Sequence, residues 1–219
     1  MKTARFNMIK IAAIVCIVTC FFDFAILYLL GSYYSGYSHL KDTMSSLGSD
    51  GSPVSNTISI WWILIGFVFI FFGFMFRRAF DANLRSVKLA SVLIMLYGFG
   101  EGIGSGIFKA NRIGGQMTQS LILHDVFGGV GVISILILPL VMLRIIINKK
   151  MPRFYFLSKV IFVVGILSML LFVGRFSPDE FSLIARYKGL WQRIFLFNTY
   201  VYFISISIIM YTENKSQDY

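Results

Sequence analysis

The chain has 219 residues, of which 57% are hydrophobic, 17% are aromatic and only 14% are charged, and its formal net charge is +10. Soluble domains carry about 25% charged residues, so this composition excludes an ordinary soluble protein and indicates a membrane protein. The positive charge does not indicate nucleic-acid binding, because no basic stripe with base-stacking aromatic residues lies outside the apolar stretches.

Six apolar stretches are long enough to cross a bilayer, which takes about 18 or more residues. They lie, in chain order, near residues 9–33, 57–76, 88–108, 120–147, 155–174 and 190–211. Because these stretches use most of the chain, we predict one all-α domain over residues 1–211, an integral membrane bundle of six transmembrane helices. We call the helices spans 1 to 6. Residues 212–219 form a polar tail.

The loops between the spans form two chemically different sets. The connections 77–88 and 144–153 are short and basic, which by the positive-inside rule places them and both termini in the cytoplasm. The outer loops 33–56, 109–119 and 175–189 hold both histidines and most of the loop Ser and Gly residues. The sequence therefore predicts that the polar chemistry lies on the extracytoplasmic side of a cell membrane.

Glycine recurs at every fourth residue in span 3, within "YGFGEGIGSGIF" (97–108). One series is Gly98, Gly102 and Gly106, and the other is Gly100 and Gly104. Small residues at this spacing let two membrane helices approach closely. The glycines at 128, 129 and 131 of span 4 provide a matching surface, so we predict tight contact between spans 3 and 4. That contact brings Glu101 close to His124 and Asp125.

Five polar side chains lie within the spans or at their outer ends: Asp23, Glu101, His124, Asp125 and Asn198. A charge at the centre of a membrane helix costs roughly 2.5–3.5 kcal/mol on insertion scales, so such groups usually face the bundle interior and have partners. We predict an outward-facing polar cavity covered by the loop 33–56. The alternative is a set of ion pairs that only fix the packing of the helices, such as Glu101 with Arg193.

A serine hydrolase is one chemical interpretation of these residues. Ser45 or Ser46, together with His124 and Asp125, contains the residue types of an acyl-transfer triad. Adjacent helical residues point about 100° apart, so Asp125 is badly placed to orient His124, and Glu101 or Asp23 suits that role better. No strand-turn nucleophile motif is present.

A metal site is a second interpretation. His39 and Asp42 in "HLKD" are three residues apart, and His124 with Glu101 could complete a mixed site. Two histidines, without an outer cysteine, exclude a histidine-rich site. Local pairing of His39 with Asp42 is the alternative, and we predict neither a resident metal nor a cofactor.

Anion capture is the third interpretation. The segment "TMSSLGSDGSP" (43–53) places hydroxyls and glycines just before span 2, whose N-terminal amides favour negative groups. Arg175 and Arg193 could complete a phosphate or carboxylate clamp. The alternative is a flexible loop that ends at a cap formed by Asn56.

These motifs resemble the family described as domain of unknown function 998. The loop "YSHLKDTMSSLGSDGSPVSN" (37–56) matches its Thr-x-Ser-x-Leu-Gly pattern through Thr43, Ser45 or Ser46, Leu47 and Gly48. The resemblance continues through residues 96–111, 123–131 and 189–203. Many members carry Pro-x-Asp where this chain has "FKANR", so no acidic residue of that loop is assigned a role. The resemblance implies a six-span prokaryotic membrane protein and supplies no activity.

The sequence favours a protein that binds or transports an anionic small molecule or lipid headgroup, with the bilayer as its surrounding partner and no nucleic acid. It favours this role over catalysis and does not define an oligomeric state. The alternatives are a membrane-embedded hydrolase that uses serine or a metal, and a structural or accessory subunit.

Overall fold

The computed structural model describes residues 2–146, 151–176 and 182–213, with side chains from residue 7 to residue 212. The predicted all-α class is confirmed. The long helices are Lys2–Ser32, Ser55–Ala79, Arg85–Tyr97, Gln119–Ile145, Pro152–Val173 and Lys188–Glu213. The short elements are the 3₁₀ turns Met44–Gly48 and Gly174–Phe176, the helix Leu183–Arg186, and a hairpin of the strands Arg112–Ile113 and Gln116–Met117.

Six helices are long and apolar enough to cross a membrane, as the sequence predicts, and the chain is a multi-pass membrane protein. Spans 1 to 6 cover Asn7–Ser32, Ser55–Ala79, Arg85–Ile107, Gln119–Ile145, Pro152–Phe176 and Lys188–Thr212. Each bound lies within three residues of the predicted one. Most of the tail predicted at 212–219 lies outside the described residues.

The spans form a ring in chain order. Each span packs against the next one along the chain, and span 6 closes the ring against span 1. Residues 33–54, residues 108–118 and the described residues 182–187 lie at the same end of this ring, which we call the loop end. The polar segments of the sequence are therefore gathered around one opening of the bundle.

Span 3 is not a uniform α-helix. After the α-helical part Arg85–Tyr97, residues Gly98–Gly104 form a π-helical stretch, and Ser105–Ile107 complete the span. A π-helix has wider turns than an α-helix, and such stretches are frequent at functional sites. This one contains Glu101.

The two glycine series of span 3 contact different neighbours. A Cβ at Gly100 would lie 2.3 Å from the Phe127 carbonyl oxygen of span 4, and one at Gly104 would lie 2.4 Å from the Phe127 Cβ. These contacts agree with the predicted approach of spans 3 and 4. The other series, Gly98, Gly102 and Gly106, faces span 2 instead, and a Cβ at Gly102 would lie 2.4 Å from the Gly66 Cα. Span 3 is thus held closely on both sides.

Aromatic side chains fill the middle of the ring. They lie farther from the loop end than the polar residues do. The ring centroid of Phe69 lies 4.7 Å from that of Phe203 and 5.1 Å from that of Tyr97. Tyr200 also stacks on Phe69, at 6.1 Å. This cluster joins spans 2, 3 and 6 and closes the interior of the bundle below the loop end.

We predict that Gly102→Ala destabilises the protein by about 1–3 kcal/mol, because the added methyl group meets the rigid backbone of span 2. The higher helix propensity of alanine, about 1 kcal/mol, offsets only part of this cost. Thermal unfolding in detergent measures the effect. The matched control is Gly129→Ala in span 4, where an added Cβ meets no atom within 4 Å. Equal unfolding temperatures for the two variants would contradict the close packing of spans 2 and 3.

Candidate functional site

A cavity of about 410 Å³ lies inside the ring, in the half nearer the loop end. All six spans contribute to its lining. The polar lining groups include Asp23, Glu101, Ser105, His124, Asp125, Arg175 and Gln192. The remaining walls are mostly apolar and include Leu27, Ile65, Phe69, Val132, Met169, Phe172 and Leu196. A volume of this size lies within the range of small-molecule sites, which is about 300–1,000 Å³.

A second cavity of about 320 Å³ adjoins the first and is more polar. We call it the vestibule and the first one the inner cavity. Its lining includes Thr43, Ser45, Ser46, Ser49, Arg112, Asp125, Arg175 and Lys188. Ser45, Asp125, Arg175 and Phe176 line both spaces, so these residues mark the passage between them.

The two cavities carry opposite charge. The vestibule is lined by three cationic side chains and one carboxylate, whereas the inner cavity is lined by three carboxylates and one arginine. Arg175 belongs to both and interacts electrostatically with Asp125 and Glu101. Its guanidinium carbon lies 3.8 Å from the ring centroid of Phe172 and 4.6 Å from that of Phe176, so two rings hold the cation at the passage.

Asp23 is a structural residue at the edge of the inner cavity. Its side chain is 2% exposed, and its two carboxylate oxygens accept hydrogen bonds from Trp61 Nε1 and from the Tyr200 hydroxyl, each at 2.7 Å. The carboxylate thereby connects spans 1, 2 and 6. This arrangement agrees with the alternative of polar residues that fix helix packing.

Glu101 differs from Asp23 because, among the described residues, no side chain or amide donates a hydrogen bond to its carboxylate. It does not pair with Arg193. The carboxylate lies beside Gly128 of span 4, where an added Cβ would be 3.6 Å from Glu101 Oε1 and 3.6 Å from the Ser105 hydroxyl. Glu101 is therefore directed into the inner cavity with hydrogen-bonding capacity to spare.

His124 is 8% exposed and has one fixed hydrogen bond. Its Nδ1 lies 2.7 Å from the Phe108 carbonyl oxygen, which can only accept, so Nδ1 carries a proton. In the neutral ring, Nε2 then becomes a hydrogen-bond acceptor. The sequence predicts Glu101 or Asp23 as the partner of His124. In the structure, the partner of Nδ1 is the Phe108 carbonyl instead.

The structure brings Glu101, His124 and Asp125 to one cavity, as the glycine pattern indicates. It does not bring Ser46 to His124, because Ser46 lines only the vestibule and its hydroxyl donates to the Thr43 carbonyl at 2.6 Å. Ser45 donates to the Thr43 hydroxyl at 3.1 Å. No group of three metal-ligating side chains is found among the described residues.

Arg193 does not line either cavity and instead anchors the loop 33–54 to span 6. Its guanidinium donates to the carbonyl oxygens of Asp42 and Gly189, both at 3.0 Å, and to the Tyr37 hydroxyl. It also contacts His39 Nδ1 at 3.2 Å. Arg193 thus has partners in the loop, while Arg175 lies at the passage between the two cavities.

His39 and Asp42 belong to the same loop anchor. The His39 ring stacks on Tyr28 at 4.2 Å, and Asp42 accepts a hydrogen bond from the Ser38 amide at 2.8 Å. Asn198, the last predicted site residue, donates to the Ile161 carbonyl at 2.9 Å and links spans 5 and 6. These three side chains have structural partners and line neither cavity.

The Leu-Gly pair of the loop motif also has a structural role. Leu47 is fully buried, and a Cβ at Gly48 would lie 2.7 Å from the Trp62 ring. The Ser55 hydroxyl donates to the Gly48 carbonyl at 2.9 Å. Because this pair is fixed against span 2, the hydroxyls of the preceding residues are held at the vestibule.

A search for charged residues within spans misses several lining groups. Tyr97, Ser105, Gln192 and Tyr200 line the inner cavity, and Lys188 lines the vestibule. Tyr and Gln carry no formal charge and therefore give no insertion-cost signal. Only Ser105 could have been found from the sequence, because it lies four residues after Glu101 and therefore on the same side of the helix.

The model of the family described as protein of unknown function (DUF998) matches residues 17–208. The chain belongs to this family, which confirms the resemblance found in the sequence. No curated protein and no solved structure matches the chain.

We predict that Asp23→Ala destabilises the protein by several kcal/mol, because it leaves the Trp61 and Tyr200 donors without their acceptor, at about 1–3 kcal/mol each. Glu101→Gln is expected to change stability by less than about 0.5 kcal/mol, because its carboxylate has no donor to lose. Thermal unfolding of both variants in one detergent compares the two roles. If Glu101→Gln unfolds as readily as Asp23→Ala, Glu101 is a packing residue.

The loop anchor is expected to weaken in acid. Partial burial, together with the Arg193 guanidinium, lowers the pKa of His39 below its ordinary value. The unfolded chain, with a histidine pKa of about 6.5, therefore binds the proton more readily, and protonation removes the Nδ1 acceptor. Stability contributed by His39 is present above the unfolded pKa and is lost as the pH falls from there towards the folded pKa.

Thermal unfolding of the wild-type protein and of His39→Gln, at pH values of about 7.5 and 5.5, measures this effect. The Gln carbonyl can accept from Arg193 at both pH values and does not titrate. We expect the wild type to lose more stability than the variant on acidification. An equal loss would show that His39 does not contribute.

Proposed function

We propose that this DUF998 member binds an anionic group in the vestibule, carried by a lipid headgroup or by a small molecule. The supporting observation is the position of Arg175, which two aromatic rings hold at the passage beside Arg112, Lys188 and four Ser and Thr residues. Guanidinium groups and hydroxyls are the usual partners of phosphate and carboxylate oxygens.

The charge difference between the two cavities supports the vestibule as the anion site. Asp23 and Glu101 in the inner cavity repel a second negative group, whereas the vestibule has an excess of cations. Glu101 and the Nε2 atom of His124 are available to bind hydroxyl or amide donors on the rest of the ligand. The ligand would then have its anionic end in the vestibule, the polar groups next to it near Glu101 and His124, and its remaining part against the apolar walls of the inner cavity.

We propose further that the protein lies in the cytoplasmic membrane of a prokaryote and that the vestibule opens on the extracytoplasmic side. It is supported by the distribution of basic residues, since Arg77, Arg78, Arg85 and Arg144 lie at the end of the ring opposite the vestibule. The positive-inside rule assigns that end to the cytoplasm.

The binding test compares two short-chain lipids, dihexanoyl phosphatidic acid and the uncharged dihexanoylglycerol, by titration calorimetry in detergent. We expect the wild-type protein to prefer the phosphate-bearing lipid. Arg175→Gln should weaken that binding by roughly ten- to a hundredfold, since a hydrogen bond to a charged group contributes about 1.5–3 kcal/mol.

Arg186→Gln is the matched control, because Arg186 lies near the loop end, stacks on Tyr187 and lines neither cavity. It should bind both lipids as the wild type does. Equal affinity of the wild type for the two lipids, or an equal effect of the two substitutions, would contradict anion binding in the vestibule.

A further inference from the structure

One side of the inner cavity is lined by several residues that are largely exposed, which are Asp125, Ile133, Val173 and Phe176. On span 4, Asp125, Gly129 and Ile133 lie four residues apart and form one stripe along the helix. Ile133 is 59% exposed although it lines the cavity. The cavity wall therefore continues from the interior of the bundle to its outer surface at this stripe.

Span 5 presents a matching stripe. Met169, Val173 and Phe176 line the same cavity, and Val173 and Phe176 are 54% and 64% exposed. Spans 4 and 5 also pack less closely than the other neighbouring pairs of the ring. The two stripes are the edges of an opening between these helices, which we call the slit.

Gly129 keeps the slit free of side-chain atoms on the span 4 side. An added Cβ there would meet nothing within 4 Å, in contrast to Gly131 two residues later, whose Cβ would lie 2.9 Å from the Glu101 amide nitrogen. The glycine at 129 therefore does not serve close helix packing. Its effect is an open space beside the cavity.

The surroundings of the slit are hydrocarbon, because spans 4 and 5 cross the membrane. Its loop-end edge carries Asp125 and Arg175, and its other edge carries Ile133 and Met169. The polarity therefore falls along the slit in the same direction as in a lipid molecule, from headgroup to acyl chain. A free, water-borne anion needs no such side opening.

We propose that the slit is a lateral portal through which a membrane lipid enters, with its phosphate in the vestibule and one acyl chain in the inner cavity. This inference rests on the proposed anion site and identifies the ligand class as a phosphate-bearing lipid. The apolar walls formed by Phe69, Val132, Phe172 and Leu196 accommodate the chain. Because the chain moves from bilayer hydrocarbon into an apolar cavity, its transfer adds little hydrophobic free energy, and the contacts of the phosphate supply most of the affinity.

The test uses phosphatidic acid with a photoreactive diazirine in its acyl chain, in lipid nanodiscs that contain the full-length protein. After illumination, mass spectrometry locates the labelled residues. We expect label on the cavity-facing Phe172 and Leu196. Label confined to lipid-exposed residues such as Leu170, which is 64% exposed, would overturn the portal.

Gly129→Leu is designed to close the slit without disturbing the packing, because its side chain enters open space. It should remove most of the labelling of Phe172, because the leucine side chain occupies the space through which the acyl chain passes. Val130→Leu on the exposed neighbouring position is the control and should label as the wild type does. Val173→Trp on span 5 is a second closing variant. Unchanged labelling in both closing variants would overturn the portal.

Soluble glycerol phosphate separates this inference from the proposed function. If it binds the wild type and loses affinity in Arg175→Gln, while no chain label reaches the cavity, the anion site stands and the portal is wrong. If neither glycerol phosphate nor phosphatidic acid binds, both proposals are wrong. Binding of both, with cavity labelling that depends on Gly129, supports both.

Discussion

The close approach of span 3 to both of its neighbours is the contact on which the other features depend. Membrane helices gain no hydrophobic stabilisation from association, so backbone contact between glycines supplies van der Waals attraction in its place. Gly102 meets Gly66 of span 2, and Gly100 meets Phe127 and Gly131 of span 4. A side chain larger than hydrogen at these points would separate three of the six helices.

This same contact positions Glu101. Its backbone lies against Gly131, while its carboxylate emerges beside Gly128 into the inner cavity. Spans 2 to 4 pack closely against one another, whereas spans 4 and 5 pack less closely, and the slit lies between them. The loop 33–54, held by Arg193 to span 6, covers the loop end. The glycines at 100, 102 and 131 therefore serve close packing, whereas the glycine at 129 lies beside open space.

The sequence predicted the spans well because hydropathy and length depend on the membrane alone, and not on which helices touch. It also predicted that Glu101, His124 and Asp125 share a site, since glycine spacing reports close helix contact. It did not show that Gly98, Gly102 and Gly106 face span 2, because glycine spacing indicates close approach without identifying the neighbouring helix. Nor could the sequence predict the hydrogen-bond partners of Arg193, because those in the loop 33–54 lie about 150 residues away along the chain.

The cost of placing ionisable groups in a membrane identifies residues that need partners but does not separate packing from function. The hydrogen bonds make that separation. Asp23 and Asn198 have protein partners that satisfy them, and their cost is offset within the fold. Glu101 has no donor among the described residues, and His124 keeps a free ring nitrogen while its other nitrogen is fixed by Phe108. Since unsatisfied polar groups are costly to keep in a membrane protein, these two side chains require water or a ligand in the inner cavity.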